Sequence, residues 1–151
     1  MQFHKLISTC LGIGYIGKGA GTVAAIAICI AWYFAWAGGF PPLYLSLLIT
    51  ITVTLIGVWS SDIVEKVWGK DPSKVVVDEA AGMCISLLFL PVNIKYVIAA
   101  LILFRFFDIV KPLFIKKMEK FPGGWGIMLD DVLAGIYANV LLQFVLFFKL
   151  F

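Results

Sequence analysis

Asp130 and Asp131 stand in the middle of Gly126–Gly135, read GIMLDDVLAG, flanked by Ile127-Met128-Leu129 and Val132-Leu133-Ala134. An ionised side chain inside an apolar membrane segment costs roughly 2.5–3.5 kcal/mol on insertion scales, so such residues mark function. The pattern recurs. Asp78-Glu79 follows Val75-Val76-Val77 and precedes Ala80-Ala81, and Asp108 lies between Phe106-Phe107 and Ile109-Val110. Five carboxylates in apolar frames, from three parts of the chain, suggest one site that needs concentrated negative charge. Magnesium takes hard oxygen ligands, typically carboxylates completed by water and phosphate oxygens. The expected chemistry is a divalent-metal site acting on a phosphorylated lipid.

Each acidic pair is expected to begin a helix. Adjacent helical residues point ~100° apart, so one member of each pair should face a given metal while the other orients a ligand, holds water or caps the helix. Gly82 and Gly135 follow Asp78 and Asp131 by four residues. Each leaves a side-chain-free spot one turn on, room for a phosphate or a closely packed helix. N-capping and ion pairing with local lysines would explain one such pair, but not five acids together.

Cations lie close by. Arg105 and Asp108, spaced i,i+3, share a helix face, and Lys111 follows just before the helix-stopping Pro112. They are either a structural ion pair or a phosphate clamp, Arg105 and Lys111 binding oxygens while Asp108 joins the metal cluster. The run Gly12–Thr22 nearly spells a P-loop, but Gly19 stands where Ser or Thr should hold magnesium and no strand precedes it. A looser reading keeps Lys18 and Thr22 as phosphate contacts at a helix N-terminus. His4, the only histidine, is a candidate substrate contact. No Cys-x5-Arg, no DxDx[TV] and no histidine pair is present. Metal-assisted attack by water remains.

The 151 residues are 62% hydrophobic and 14% charged, with a mean hydropathy of +1.04. Soluble domains are nearer ~45–50% apolar and ~25% charged, so an integral membrane protein of one domain, 1–151, is expected. A net charge of +3 is too small to suggest nucleic acid. Cys10, Cys29 and Cys84 are widely spaced in apolar runs, with no zinc pattern. The N-terminal stretch is broken by Gly12, Gly14 and Gly17, which argues against a cleaved signal peptide.

The elements that must position the acids can be drawn from the apolar runs. Residues 1–19 are too broken to span a membrane. Ala20–Ala37 is long enough to cross, Gly38–Pro42 turns, and Leu43–Trp59 returns. Asp62 with Glu65 resembles a capping box opening a short amphipathic helix, which Asp71-Pro72-Ser73 would break. Val75–Leu90 and Ile94–Phe107 are short, so a tilted or partly penetrating hairpin is expected. Leu113–Phe121 reads as an interfacial amphipathic helix, with Phe114, Met118 and Phe121 opposite Lys116, Lys117 and Lys120. Asp131–Phe148 is the last span. The expected fold is an all-α polytopic bundle of four or five membrane segments. Threading it puts ten cationic residues on the N-terminal side and only Lys95 and Lys149 on the other, so the N-terminal side should be cytoplasmic. All nine carboxylates fall on that same side.

With these residues in view, the chain resembles the phosphatidylglycerophosphatase A family. The matches are Phe3-His4-Lys5 with Gly21-Thr22, then DE-x-x-G-M at Asp78–Met83, RxxDxxKP at Arg105–Pro112 and GxGIMxDDxxAG at Gly124–Gly135. They keep the family's order across the whole chain. One departure is that Ala20 and Ala24 stand where the family often has Pro and Gly around Gly-Thr. The resemblance implies a magnesium-dependent enzyme of the bacterial inner membrane that hydrolyses phosphatidylglycerophosphate to phosphatidylglycerol. It implies Mg²⁺ held by Asp78, Asp108 and Asp131 with help from Glu79 and Asp130, and headgroup phosphate bound by Arg105, Lys111 and Lys18. The lysines of 113–121 would hold anionic lipid near the site. Two rivals differ in signature. A CDP-alcohol phosphotransferase would show DGxxAR…GxxxDxxxD, absent here, and an ion or proton carrier with a carboxylate relay would spread acids across the membrane depth.

Overall fold

Glycines and prolines cut the chain into helices, and the computed structural model describes residues 1–151. In order these are α1 (Gln2–Ser8), α2 (Ala20–Trp36), α3 (Leu43–Trp68), α4 (Val77–Leu87), α5 (Ile94–Val110), α6 (Ile115–Met118) and α7 (Gly123–Phe147). A 3₁₀ turn covers Ile13–Ile16, and there is no strand. The expected all-α class holds. α3 and α7, with 26 and 25 residues, are long and apolar enough to cross a membrane. At 1.5 Å per residue each reaches roughly 38 Å, against ~30 Å of hydrocarbon. α2 is a shorter apolar helix of 17 residues. α4 is shorter still, about 16 Å by the same rise.

α7 is the axis, packed against α4, α3, α5 and α6. The main core joins α2, α4, α5 and α7 through Trp32, Met83, Leu87, Phe104, Ala134 and Leu142. Between helices in lipid, close packing rather than water exclusion supplies the attraction, which favours small interface residues. Gly82 and Gly135 meet this need. A Cβ on Gly135 would run into the Gly82 carbonyl, and one on Gly82 would lie 2.6 Å from the Asp131 carbonyl. Of the two uses expected for these glycines, helix packing is the one observed. Gly57 and Gly124 do the same between α3 and α7, against the Met128 side chain and the Val58 carbonyl respectively.

The short α4 ends deep among apolar neighbours, where its last carbonyls need partners. α7 provides them. Asn139 donates to the Ser86 and Leu88 carbonyls at 3.1 and 2.7 Å, and Gln143 donates to Leu88 at 3.3 Å. In α3 the hydroxyls of Ser46, Thr50 and Thr54 donate to carbonyls three or four residues back, so these three are satisfied within the helix, while Ser61 Oγ is buried without a partner.

The turns gather at two ends. At one, the Gly38 amide donates to Val92 at 2.9 Å and the Val92 amide to Gly39 at 2.8 Å, tying the α2–α3 turn to the α4–α5 turn. At the other, the Val76 amide donates to Ser8 at 2.8 Å, and the five acids collect there.

Three expectations are corrected. α3 does not stop at Ser60. It runs to Trp68, because Ser60 and Ser61 are fully buried and Asp62 pairs along the helix with Lys66 at 2.9 Å instead of capping. Helix 113–121 shrinks to the four residues of α6, whose buried side chain is Ile115, while Phe114 and Phe121 are exposed. Finally, α7 begins at Gly123, so Asp130 and Asp131 sit two turns inside it rather than at its start.

Candidate functional site

Asp78 and Glu79 occupy the first turn of α4, where the helix dipole favours carboxylates by roughly 0.3–1 kcal/mol. Arg105 and Asp108 come from the end of α5, and Asp130 and Asp131 from α7. Lys111 caps α5 in the left-handed conformation, φ 48°. For a non-glycine residue that costs about 1–2 kcal/mol, here spent on turning the chain back toward α7. These seven side chains line one cavity of about 600 Å³, together with the Gly17–Gly21 loop and Asp71-Pro72-Ser73.

The five acids form two triads, Asp78/Glu79/Asp131 and Asp108/Asp130/Asp131, with one oxygen of each member within 4.8 Å of the others. Asp131 belongs to both. Both members of each sequence pair therefore face the site, against the expectation of one. The reason is that α7 passes beside the cavity with α4 and α5 both packed on it. Acids ~100° apart on its surface then look into one space.

Charge in the cavity is unbalanced. The Arg105 guanidinium donates to Asp108 and lies 3.9 Å from Glu79. Lys111 Nζ donates to Asp130 and Glu119, both at 2.6 Å. Burial pulls the Lys111 ammonium down, but the two carboxylates outweigh it and its pKa is raised. It is a fixed cation. Even so, Asp78 Oδ1, Glu79 Oε2, Asp130 Oδ1 and Asp131 Oδ2 are all buried without a hydrogen-bond partner. Each such orphan costs about 1–3 kcal/mol, and more when charged. Four such oxygens on residues that line one cavity, all hard donors with no His or Cys among them, fit a divalent cation of the Mg²⁺ type.

The remaining sequence candidates divide. Lys18 lines the cavity within a loop whose Gly17 and Gly19 have φ of 93° and 85°. Thr22 does not line it. At Gly21 a Cβ would collide with the Glu79 carboxylate, so the backbone abuts that acid. His4 lies outside the cavity: its Nδ1 is 3.2 Å from Ser60 Oγ and its ring meets Trp59 edge-on. Accordingly, His4→Ala is expected to keep kcat near wild type and to cost about 1 kcal/mol of stability. Phosphate release measured beside thermal unfolding checks this. Cys10 is no nucleophile, since burial first and then Glu79 push its thiol to about 12. Glu119, Lys111's second partner, gave no signal in the sequence, because nothing local ties residue 119 to 111.

A Bacteroides thetaiotaomicron protein named, provisionally, as a phosphatidylinositol-3-phosphatase is 45% identical over 144 residues, covering 91% of this chain and 89% of that one. Escherichia coli phosphatidylglycerophosphatase A is 33% identical over 93% of this chain and 81% of its own. The Haemophilus influenzae enzyme of the same name is 47% identical over 46% of this chain and 44% of its own. No solved structure matches. The sequence profile described as Phosphatidylglycerophosphatase A matches residues 6–146, from α1 through all three acid-bearing helices to the end of α7, and the chain belongs to that family.

Proposed function

We propose that this chain hydrolyses the terminal phosphate monoester of phosphatidylglycerophosphate to give phosphatidylglycerol and phosphate, at the cytoplasmic face of a bacterial inner membrane. The observation that carries the reading is the meeting of five carboxylates and two paired cations at one end of the bundle, in a chain of this family. The gathering at one end speaks against a carboxylate relay, which needs acids spread through the membrane. The ten-to-two charge asymmetry supports a multi-pass arrangement with that end in the cytoplasm.

Asp78, Glu79, Asp108, Asp130 and Asp131 would hold Mg²⁺. Bound there, the ion supplies charge neutralisation and a more acidic water. The chain's own residues do the rest. Arg105 holds Asp108 and Glu79 in place and offers its remaining N–H groups to phosphate oxygens. Its Nε is buried without a partner, a donor available to such an oxygen. Lys111 fixes Asp130, and its ammonium adds positive charge beside the phosphoryl group. Lys18 and the Gly17–Gly21 backbone close the cavity on the α2 side.

The first test is phosphate release from phosphatidylglycerophosphate by purified protein in detergent, with Mg²⁺ and then with EDTA. Release that EDTA stops is the expected result. No release, or release indifferent to EDTA, would refute the proposal. Phosphatidylinositol 3-phosphate belongs in the same assay as a second substrate, because the relative from Bacteroides is named for it.

A further inference from the structure

Beside the carboxylate cavity lies a second one of about 570 Å³, and Asp71 and Asp130 line both. The Lys111 bridge from Asp130 to Glu119 runs along their common wall, since Glu119 lines the second cavity. Four lysines line it, Lys70, Lys116, Lys117 and Lys120, none with a carboxylate within 4 Å. Of its four acids, Glu119 and Asp130 are committed to Lys111, which leaves Glu65 and Asp71 against four lysines. The cavity is thus a cationic pocket joined to an acidic one. Its apolar lining, Leu113, Phe121 and Ile127, includes two side chains that are 76% and 49% exposed in the α5–α7 connection. Apolar side chains beside lysines are what the glycerol backbone and inner acyl carbons of a lipid would meet.

We infer that this second cavity is a subsite for the phosphodiester of a lipid that carries two phosphates, and that it selects such lipids over simple phosphate monoesters. The inference rests on the phosphatase reading above. Phosphatidylglycerophosphate carries a bridging phosphodiester and a terminal monoester separated by one glycerol. Adjoining cavities that share two side chains suit two anions so spaced. With the monoester among the acids, Arg105 and Lys111, the phosphodiester falls between the lysines and the acyl chains toward the exposed apolar side chains. Phosphatidic acid, a monoester joined directly to diacylglycerol, can fill only one cavity at a time.

The test is the ratio of kcat/KM for phosphatidylglycerophosphate over phosphatidic acid, measured in neutral detergent micelles so that bulk surface charge is equal for both. The wild-type ratio should exceed about 10, the size of one charge-assisted contact. In Lys116→Gln/Lys117→Gln/Lys120→Gln it should fall toward 1. A Lys95→Gln/Lys149→Gln control, altered at the opposite end, should keep the wild-type ratio. A wild-type ratio near 1, or one unchanged in the triple variant, would overturn the inference while leaving the phosphatase intact. Equal losses on both lipids would also overturn it, since they mean general attraction of anionic lipid. No phosphate released from either lipid by wild type would instead remove the phosphatase reading beneath it.

Discussion

Asp131→Asn is expected to abolish turnover, lowering kcat by about 10³-fold or more, while the chain still folds and inserts. Asp131 is the one carboxylate common to both triads, it is 2% exposed, and its Oδ2 has no partner in the protein. Asparagine keeps the shape but removes the charge, so both triads lose a charged member. Stability should move the other way. Without metal, the wild-type site crowds like charges in a buried space, and taking one away relieves repulsion. The variant should therefore melt no lower than wild type in EDTA. Added Mg²⁺ should raise the wild-type melting temperature, since a ion bound only by the folded state stabilises it, and raise that of the variant much less. Wild-type hydrolysis by Asp131→Asn, or an equal Mg²⁺ shift, would refute the metal-site assignment. Asp108→Asn makes the contrast: it also takes away Arg105's closest partner, so it should lose stability as well as activity.

The acids were legible in the sequence because a carboxylate among valines and phenylalanines has few structural excuses. Asp78, Glu79, Asp108, Asp130 and Asp131 each announce themselves locally, and the structure brings all five to one cavity. Helix α2 and most of α3 were legible for a related reason, as apolar runs on either side of the Gly38–Pro42 turn. Partners distant in sequence were not. Glu119 reads as an ordinary surface acid until α7 brings Asp130 to the other side of Lys111. Asp71-Pro72-Ser73 reads as a helix breaker, yet these residues line the cavity.

The errors share one cause, the use of local patterns where tertiary packing decides. Asp62 with Glu65 has the spacing of a capping box, but α3 needs no cap there because the helix continues on both sides. The lysine-rich 113–121 stretch has helical spacing, but Ile115 is drawn into the core and winds only one turn around itself. Its lysines instead line a cavity, which a helical wheel could not show. The ~100° rule for adjacent residues is sound for a lone helix. It fails for Asp130 and Asp131 because two other helices pack against α7 there.

Gly135→Ala should lower kcat by about 100-fold while the chain still reaches the membrane, because a misplacement near 1 Å costs that much. The added methyl would meet the Gly82 carbonyl oxygen, with Gly82 C and Cα both at 3.1 Å, closer than ordinary van der Waals contact. All of these are backbone atoms, so no side chain can swing aside. α4 and α7 must separate, by roughly an ångström in a closely packed interior. Gly82 lies one turn after Asp78 on α4, and Gly135 one turn after Asp131 on α7. The separation therefore opens the Asp78/Glu79/Asp131 triad directly. It should show as a higher Mg²⁺ requirement as well as a lower kcat, together with a lower melting temperature. Gly39→Ala is the matched control, since its Cβ at the opposite end would have nothing within 4 Å. If Gly135→Ala melted early yet kept its kcat and Mg²⁺ dependence, the glycine pair would serve folding alone, and the spacing of α4 and α7 would not set the geometry of the acids.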